Sequence, residues 1–181
     1  MRRRLALSLL PILLGGCATG GVGRSRSAEG AEAPIRTGRL ALQVTGDSAR
    51  SFSAGFELEG SASQGRLTLL SPLGLPLGQA QWRPGEVLLD SGTSSQRYDD
   101  LETMMQALTG DALPLAALFD WIEGSPWPGD SSRPLTTSEG TGFRQLGWSV
   151  RTDRLADGLL VAERRLPEPT VTLRLKLDPR S

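Results

Sequence analysis

The sequence predicts a mainly β domain: one curved antiparallel sheet, wrapped towards a barrel and covered by two helices inserted mid-chain. Three observations predict it. Apolar and polar side chains alternate with period two from Arg36 to about Tyr98, and again from Gly142 to Leu177. Between these stretches the apolar spacing switches to that of a helix, twice. Pro, Gly and Ser clusters punctuate the runs as turns do.

The chain opens with a targeting signal at residues 1–16. Arg2, Arg3 and Arg4 form a positive n-region, and LALSLLPILL (Leu5 to Leu14) is an apolar stretch too short to span a bilayer as a helix. Small residues Gly15 and Gly16 precede Cys17, the single cysteine. The order Leu14-Gly15-Gly16-Cys17 resembles a bacterial lipobox. It implies cleavage before Cys17 and a covalent N-acyl diacylglyceryl lipid on that cysteine, with no other cofactor. Ala18 in place of an aspartate favours the outer membrane. Residues 18–35 are small, charged and without apolar period, and read as a tether. Some 18 such residues have a root-mean-square span of about 23 Å. Residues 36–181 then form a single domain.

In GRLALQV, Leu40, Leu42 and Val44 share a face. SFSAGFELEG puts Phe52, Ala54, Phe56 and Leu58 on one side and Ser53, Gly55, Glu57 and Glu59 on the other. QGRLTLL, GQAQW, EVLLD and SSQRY continue the meander, with Arg83-Pro84-Gly85-Glu86 as a type II turn. The loop SPLGLP between two of these strands carries Leu73 and Leu75, where turn tips are usually polar.

Asp99 then offers a helix cap with Glu102 three places on. Leu101, Met104, Met105 and Leu108 follow helical spacing, and Gly110 suits the stop. A second helix begins near Pro114, with Leu115, Leu118, Phe119 and Ile122 on one stripe and Gly124 at its end. SPWPGDSSRPLTTSEG reads as a loop. In GFRQLGWSV the residues Leu146, Trp148 and Val150 alternate along a strand, and Asp157-Gly158 marks a tight hairpin before LLVAERR. PTVTLRLKL ends the domain with Val171, Leu173, Leu175 and Leu177 on one face.

Composition excludes several functions. With no histidine, the commonest general base and metal ligand are missing, and lipidation occupies the only thiol. Asp99, Asp100 and Glu102 are the densest acidic group, and their place at a helix start explains them. No enzyme and no metal site are expected. The full chain has 20 basic and 20 acidic residues; loss of the three leading arginines leaves 17 against 20, a formal −3. Without a basic cluster the chain is not built for nucleic acid.

The ordered set RLTLLSPLG, QWRPGEVLL, RYDDLETMMQALTG and LPLAALFDWIEGSPW, followed by GFRQLGWSV and TVTLRLKLD, resembles the LolB family of outer-membrane lipoprotein receptors. The resemblance runs from about residue 36 to the end. It implies a half-open antiparallel β-barrel with a helical lid over an apolar cavity. It also implies a receptor, monomeric and lipid-anchored at the periplasmic face of the outer membrane. Such a receptor takes acylated lipoproteins from the periplasmic carrier LolA and inserts them into outer-membrane lipid. Leu73 would be the leucine that helps deliver cargo; Leu75 shares its loop. Candidate acyl-chain contacts in the implied cavity are Phe56, Leu69, Met104, Met105, Leu108, Leu118, Ile122 and Trp148. Trp127, between two prolines, is the candidate for a mobile rim, and Arg66, Arg144 and Arg174 could meet a carrier surface. The residues themselves leave open an outer-membrane lipoprotein that holds a free lipid or small apolar ligand without protein cargo. They also leave open a partner protein working through its sheet edge, and a carboxylate enzyme.

Overall fold

The fold is given by a computed structural model that describes residues 35–109 and 113–180. Cys17, the signal segment and the tether up to residue 34 lie outside the described residues, as does Gly110. Eleven strands form one antiparallel sheet: β1 (Arg36–Val44), β2 (Asp47–Gly60), β3 (Gly65–Leu70), β4 (Pro76–Arg83), β5 (Glu86–Asp90), β6 (Ser95–Tyr98), β7 (Arg133–Pro134), β8 (Gly142–Gln145), β9 (Trp148–Arg151), β10 (Leu159–Arg164) and β11 (Val171–Leu177). The helices α1 (Leu101–Thr109) and α2 (Leu115–Trp121) lie between β6 and β7 in the chain.

Strand order explains why the helices form a lid. Across the sheet it runs β6-β5-β4-β3-β2-β1-β11-β10-β9-β8-β7. The first six strands walk outward from the centre to one edge, and the last five walk inward from the other edge. Pairing of β1 with β11, in register from Gly38 opposite Leu177 to Val44 opposite Val171, joins the halves. Whatever connects β6 to β7 must therefore cross from edge to edge, and that connection contains both helices. The sheet is open, because β6 and β7 do not pair with each other.

The period-two reading holds along most of the sheet, though β10 buries Leu160, Val161 and Ala162 in succession. Leu42, Val44, Ala54, Phe56, Leu58, Leu67, Ala80, Trp82 and Val87 are buried on one face, with Val171, Leu173 and Leu175 from the last strand. Their neighbours Arg39, Glu57, Arg66, Gln81, Arg174 and Lys176 point to the other side, where Glu59 pairs with Arg66 at 2.5 Å. One face is greasy and the other is wet. Gly38 sits where β1 and β11 crowd together: a Cβ there would collide with the Lys176 carbonyl oxygen. Gly85 takes φ 77°, as the third place of a type II turn requires.

Three local expectations are corrected. The cap of α1 is Asp100, not Asp99: its Oδ1 accepts the Thr103 backbone N–H at 2.7 Å. Two adjacent aspartates offer the same chemistry, and only the second reaches the free N–H. GFRQLGWSV is a hairpin rather than one strand. Gln145 pairs with Trp148 across Leu146 and Gly147, whose φ values of 50° and 78° are both left-handed, as a type I′ turn demands. Leu146 is consequently exposed at the tip instead of alternating with Trp148. Asp157-Gly158 does not form a two-residue turn either. The β9–β10 connection runs through residues 152–158, with a 3-10 turn at Leu155–Asp157 closed by Gly158 at φ 75°.

Candidate functional site: an apolar cavity under the helices

The central strands give the floor of the site. Leu40 of β1, Phe52, Phe56 and Leu58 of β2, Leu67 and Leu69 of β3, and Leu173 and Leu175 of β11 point towards the helices. From above come Met105 and Leu108 of α1, Leu115 and Leu118 of α2, and the flanking Leu113 and Ile122. Each helix contributes one apolar stripe, as its spacing dictates. Floor and roof do not meet completely. They enclose a cavity of about 220 Å³ whose lining residues are all apolar. With no polar partner to hold it, water gains nothing there, and a cavity of this character is dry. Leu108 lines the cavity while 40% exposed, so the wall at the end of α1 has solvent on its other side.

The sheet beyond the cavity is filled. Trp121 of α2, fully buried, stands 6.3 Å from the Phe143 ring and 6.4 Å from the Trp148 ring. Its indole N–H donates to the side-chain oxygen of Gln145 at 2.9 Å. That same oxygen accepts the Trp127 backbone N–H at 2.9 Å, while the Gln145 amide donates to the carbonyls of Trp127 at 2.6 Å and Asp130 at 2.8 Å. Gln145 is 2% exposed and has both ends satisfied, as a buried amide must. One side chain thus ties α2 and the following loop to β8. On the opposite flank Trp82 donates to the Ser61 carbonyl at 2.9 Å and meets Phe119 edge-on.

The leucine loop lies outside the cavity. Gly74 N–H donates to the Ser71 carbonyl at 2.9 Å, Ser71 N–H to the Leu75 carbonyl at 2.8 Å, and Leu75 N–H to Ser71 Oγ at 3.1 Å. The tip satisfies its own backbone, with Gly74 at φ 78°, and needs no side chain for packing. Leu73 is 86% exposed and Leu75 63%.

A family model described as outer membrane lipoprotein LolB matches residues 36–178, the whole of the sheet and its lid. The chain belongs to the LolB family. It is 33% identical over 160 residues to the outer-membrane lipoprotein LolB of Chromobacterium violaceum, covering 87% of this chain and 86% of that protein. It is 34% identical over 156 residues to the LolB of Cupriavidus pinatubonensis, covering 82% and 75%. With the LolB of Cupriavidus necator it shares 31% over 194 residues, covering 99% and 98%.

Of the side chains expected to meet acyl chains in a LolB-type cavity, Phe56, Leu69, Met105, Leu108, Leu118 and Ile122 come together around it. Met104 and Trp148 do not line it. Met104 is fully buried in the packed core, and Trp148 belongs to the filled half with Trp121. Sequence reasoning missed Leu40, Phe52, Leu58, Leu67, Leu113, Leu115, Leu173 and Leu175 as lining, although their inward phase was readable. Trp127 is no free rim, because Gln145 clamps its backbone on both sides. Arg66 pairs with Glu59, Arg144 with Glu139, and Arg174 bonds to Gln43, all on the wet face. Among the described residues, no cluster of acids, cysteines or histidines could hold a metal. Cys17 lies outside the described residues.

Proposed function

We propose that this chain accepts acylated lipoproteins from a LolA-like periplasmic carrier and inserts them into the outer membrane. Membership of the LolB family supplies the coarser part: an outer-membrane lipoprotein, lipid-anchored there, that serves lipoprotein localisation. In this reading the anchor is the acyl and diacylglyceryl lipid on Cys17, the acting unit is a monomer, and Leu73 is the point of contact with the bilayer.

The observation that carries the reading is the apolar cavity between sheet and helices. Three acyl chains of about sixteen carbons hold nearly fifty methylenes, and exposing them to water costs on the order of 35–40 kcal/mol at about 0.8 each. Cargo must therefore pass from one apolar shelter to another. The concave face is such a shelter, and the tether leaves it within reach of the membrane. Catalysis has no part in the scheme: the transfer exchanges one apolar contact for another and breaks no bond.

The deciding experiment mixes a carrier–lipoprotein complex with the non-acylated domain and follows which protein holds the lipoprotein. Movement of the cargo onto the domain is expected; a cargo that stays with its carrier overturns the reading. The cavity as it stands is also the size of a small apolar ligand. A domain that purifies with a free lipid bound and refuses protein cargo would favour that second reading.

A further inference from the structure

The strand registers sort the hairpin tips into two ends. The β1–β2 turn, the β3–β4 loop, the β5–β6 loop, the β8–β9 turn and the β10–β11 loop all fall at one end of the sheet. The β2–β3 and β4–β5 turns, the β9–β10 connection and the start of β1 fall at the other. Apart from Leu108 of α1, on the cavity wall, the large exposed apolar side chains follow this division. Leu73 and Leu75 with the adjoining Leu77, Leu146 on the β8–β9 turn, and Leu166 on the β10–β11 loop all belong to the first end. Leu166 is 74% exposed and Leu146 39%. The two remaining tips there, Thr45-Gly46 and Ser91 to Ser94, are small and uncharged; of the charges beside the tips, Asp47 is paired with Arg50 and Arg165 with Glu163, and Glu168 on the Leu166 loop is exposed. The opposite end is held by ion pairs: Arg36 and Arg180 on Glu123, Arg83 and Arg97 on Glu86, and Arg154 on Asp157. Ile35 is its one large exposed apolar side chain among the described residues, where the tether joins.

Leu146 supplies an independent sign. Among the described residues it is the only non-glycine with positive φ, at 50°. Asn, Asp or Gly fits that turn position without strain, and leucine does not. An apolar side chain held exposed in a strained turn is unexplained by folding and points to a contact.

We propose that this whole rim, Leu73 and Leu75 together with Leu146 and Leu166, is a bilayer-docking surface that stands the domain on the membrane by its hairpin tips. The proposal rests on the outer-membrane reading above for the choice of a bilayer, and adds to it two contacts on the far half of the sheet and a fixed orientation. Chain length permits it. The tether joins at the opposite end, about 30 Å away along the nine residues of β1. The 18 residues between Cys17 and Arg36 reach about 60 Å when extended. A lipid-anchored chain can therefore turn its tips down to the surface that holds it.

The test uses the full lipidated chain in vesicles of phosphatidylethanolamine with a minority of phosphatidylglycerol. With Cys17 acylated, Leu73→Cys, Leu146→Cys, Leu166→Cys and, as the other-end control, Ser63→Cys each carry the sole free thiol for an environment-sensitive fluorophore. Labels at 73, 146 and 166 should lose several-fold in quenching by aqueous iodide and be quenched by a bromine-bearing lipid, while the label at 63 behaves as in water. Shielding at 73 alone overturns the rim and leaves lipoprotein transfer untouched. Shielding from iodide without quenching by the lipid means that protein covers the tips, a second copy included, and also overturns it. Equal shielding at 63 shows a domain lying on its side, and overturns it likewise. Leu146→Asn combined with Leu166→Ser should keep the fold, since asparagine relieves the turn, yet expose the label at 73 to iodide; unchanged shielding there refutes the joint contact.

Discussion

Replacing Gln145 with leucine tests how the lid is fastened. The change keeps the volume of the side chain and removes its four hydrogen bonds, to Trp121 Nε1, the Trp127 N–H and the carbonyls of Trp127 and Asp130. The Trp121 indole N–H is fully buried with no other partner at hand, so leaving it unpaired costs about 2 kcal/mol. The loop groups are nearer to water and recover part of their loss, which we set at about 1–3 kcal/mol for the three together. The sum, about 3–5 kcal/mol, is a large share of the stability of a domain this size. In urea, with a slope of about 2 kcal/mol per molar, the midpoint should fall by roughly 1.5–2.5 M. Tryptophan emission reports both Trp121 and Trp127, and should already redden before the main transition as the loop lets go. A midpoint lowered by less than about 0.5 M would refute the assignment of Gln145 as the fastening of α2.

Three further outcomes are expected. Leu73→Glu should leave the urea midpoint unchanged, since the side chain is 86% exposed and touches no core. It should slow insertion into vesicles roughly ten- to hundred-fold, the equivalent of about 1.5–3 kcal/mol for one leucine no longer buried in lipid; loss of folding in this variant would contradict the placement of the loop. Met105→Phe should fill part of the cavity and lower the uptake of an apolar dye or of cargo, with stability changed by about 1 kcal/mol or less; undiminished uptake would place the binding surface elsewhere. The bond from the Thr103 N–H holds the Asp100 carboxyl below its ordinary pKa of 3.8. A depressed folded-state pKa means the cap contributes fully above that ordinary value and is lost as pH falls through the lowered one. Asp100→Asn should remove this acid-sensitive part of α1 helicity, followed by circular dichroism from about pH 5 to about pH 2; an identical acid profile in both chains would dismiss the cap.

The sheet was legible because one of its faces is wet. Wherever a strand buries a single face, the period of two is imposed by the pleat, and Phe52 to Leu58 or Val171 to Leu177 carry it without a gap. The helices were legible from Met104, Met105 and Leu108 for the same reason at another period. What escaped was decided by geometry finer than pattern. Either Asp99 or Asp100 can cap, and reach alone selects the second. The β8–β9 hairpin hid because a leucine sits where asparagine or glycine would have announced a turn. A signal was nevertheless present: Phe143 and Gln145 face inward on odd numbers, while Trp148 and Val150 do so on even ones. A change of phase inside a supposed strand requires inserted residues, here Leu146 and Gly147. Inward phase says which side chains face the lid and not which of them fall short of it. Met104 and Met105 are neighbours on α1, yet one is packed solid and the other borders a void.

That void also limits how cargo could be held on the proposed reading. A methylene fills roughly the volume of a liquid water molecule, about 30 Å³, so 220 Å³ has room for about seven. Seven buried methylenes recover about 6 kcal/mol, far short of the 35–40 kcal/mol that three chains require. The remainder has to come from surface that the lid now covers. Met105, Leu108, Leu115, Leu118 and Ile122 hold the place above the central strands that acyl chains would take, and they are of the same apolar character. Displacing α1 exchanges its methionine and leucine contacts for methylene contacts on the floor, and turns the same helix stripe into a cover for the entering chains. Such an exchange is close to neutral per unit of area, which suits a carrier that must release as well as bind. The part of the lid left to move is then α1, because Trp121 and Gln145 fix α2 to β8. A disulfide introduced between α1 and the sheet floor should accordingly abolish uptake of lipoprotein while leaving the fold intact, whereas one between the Trp127 loop and β8 should leave uptake unchanged.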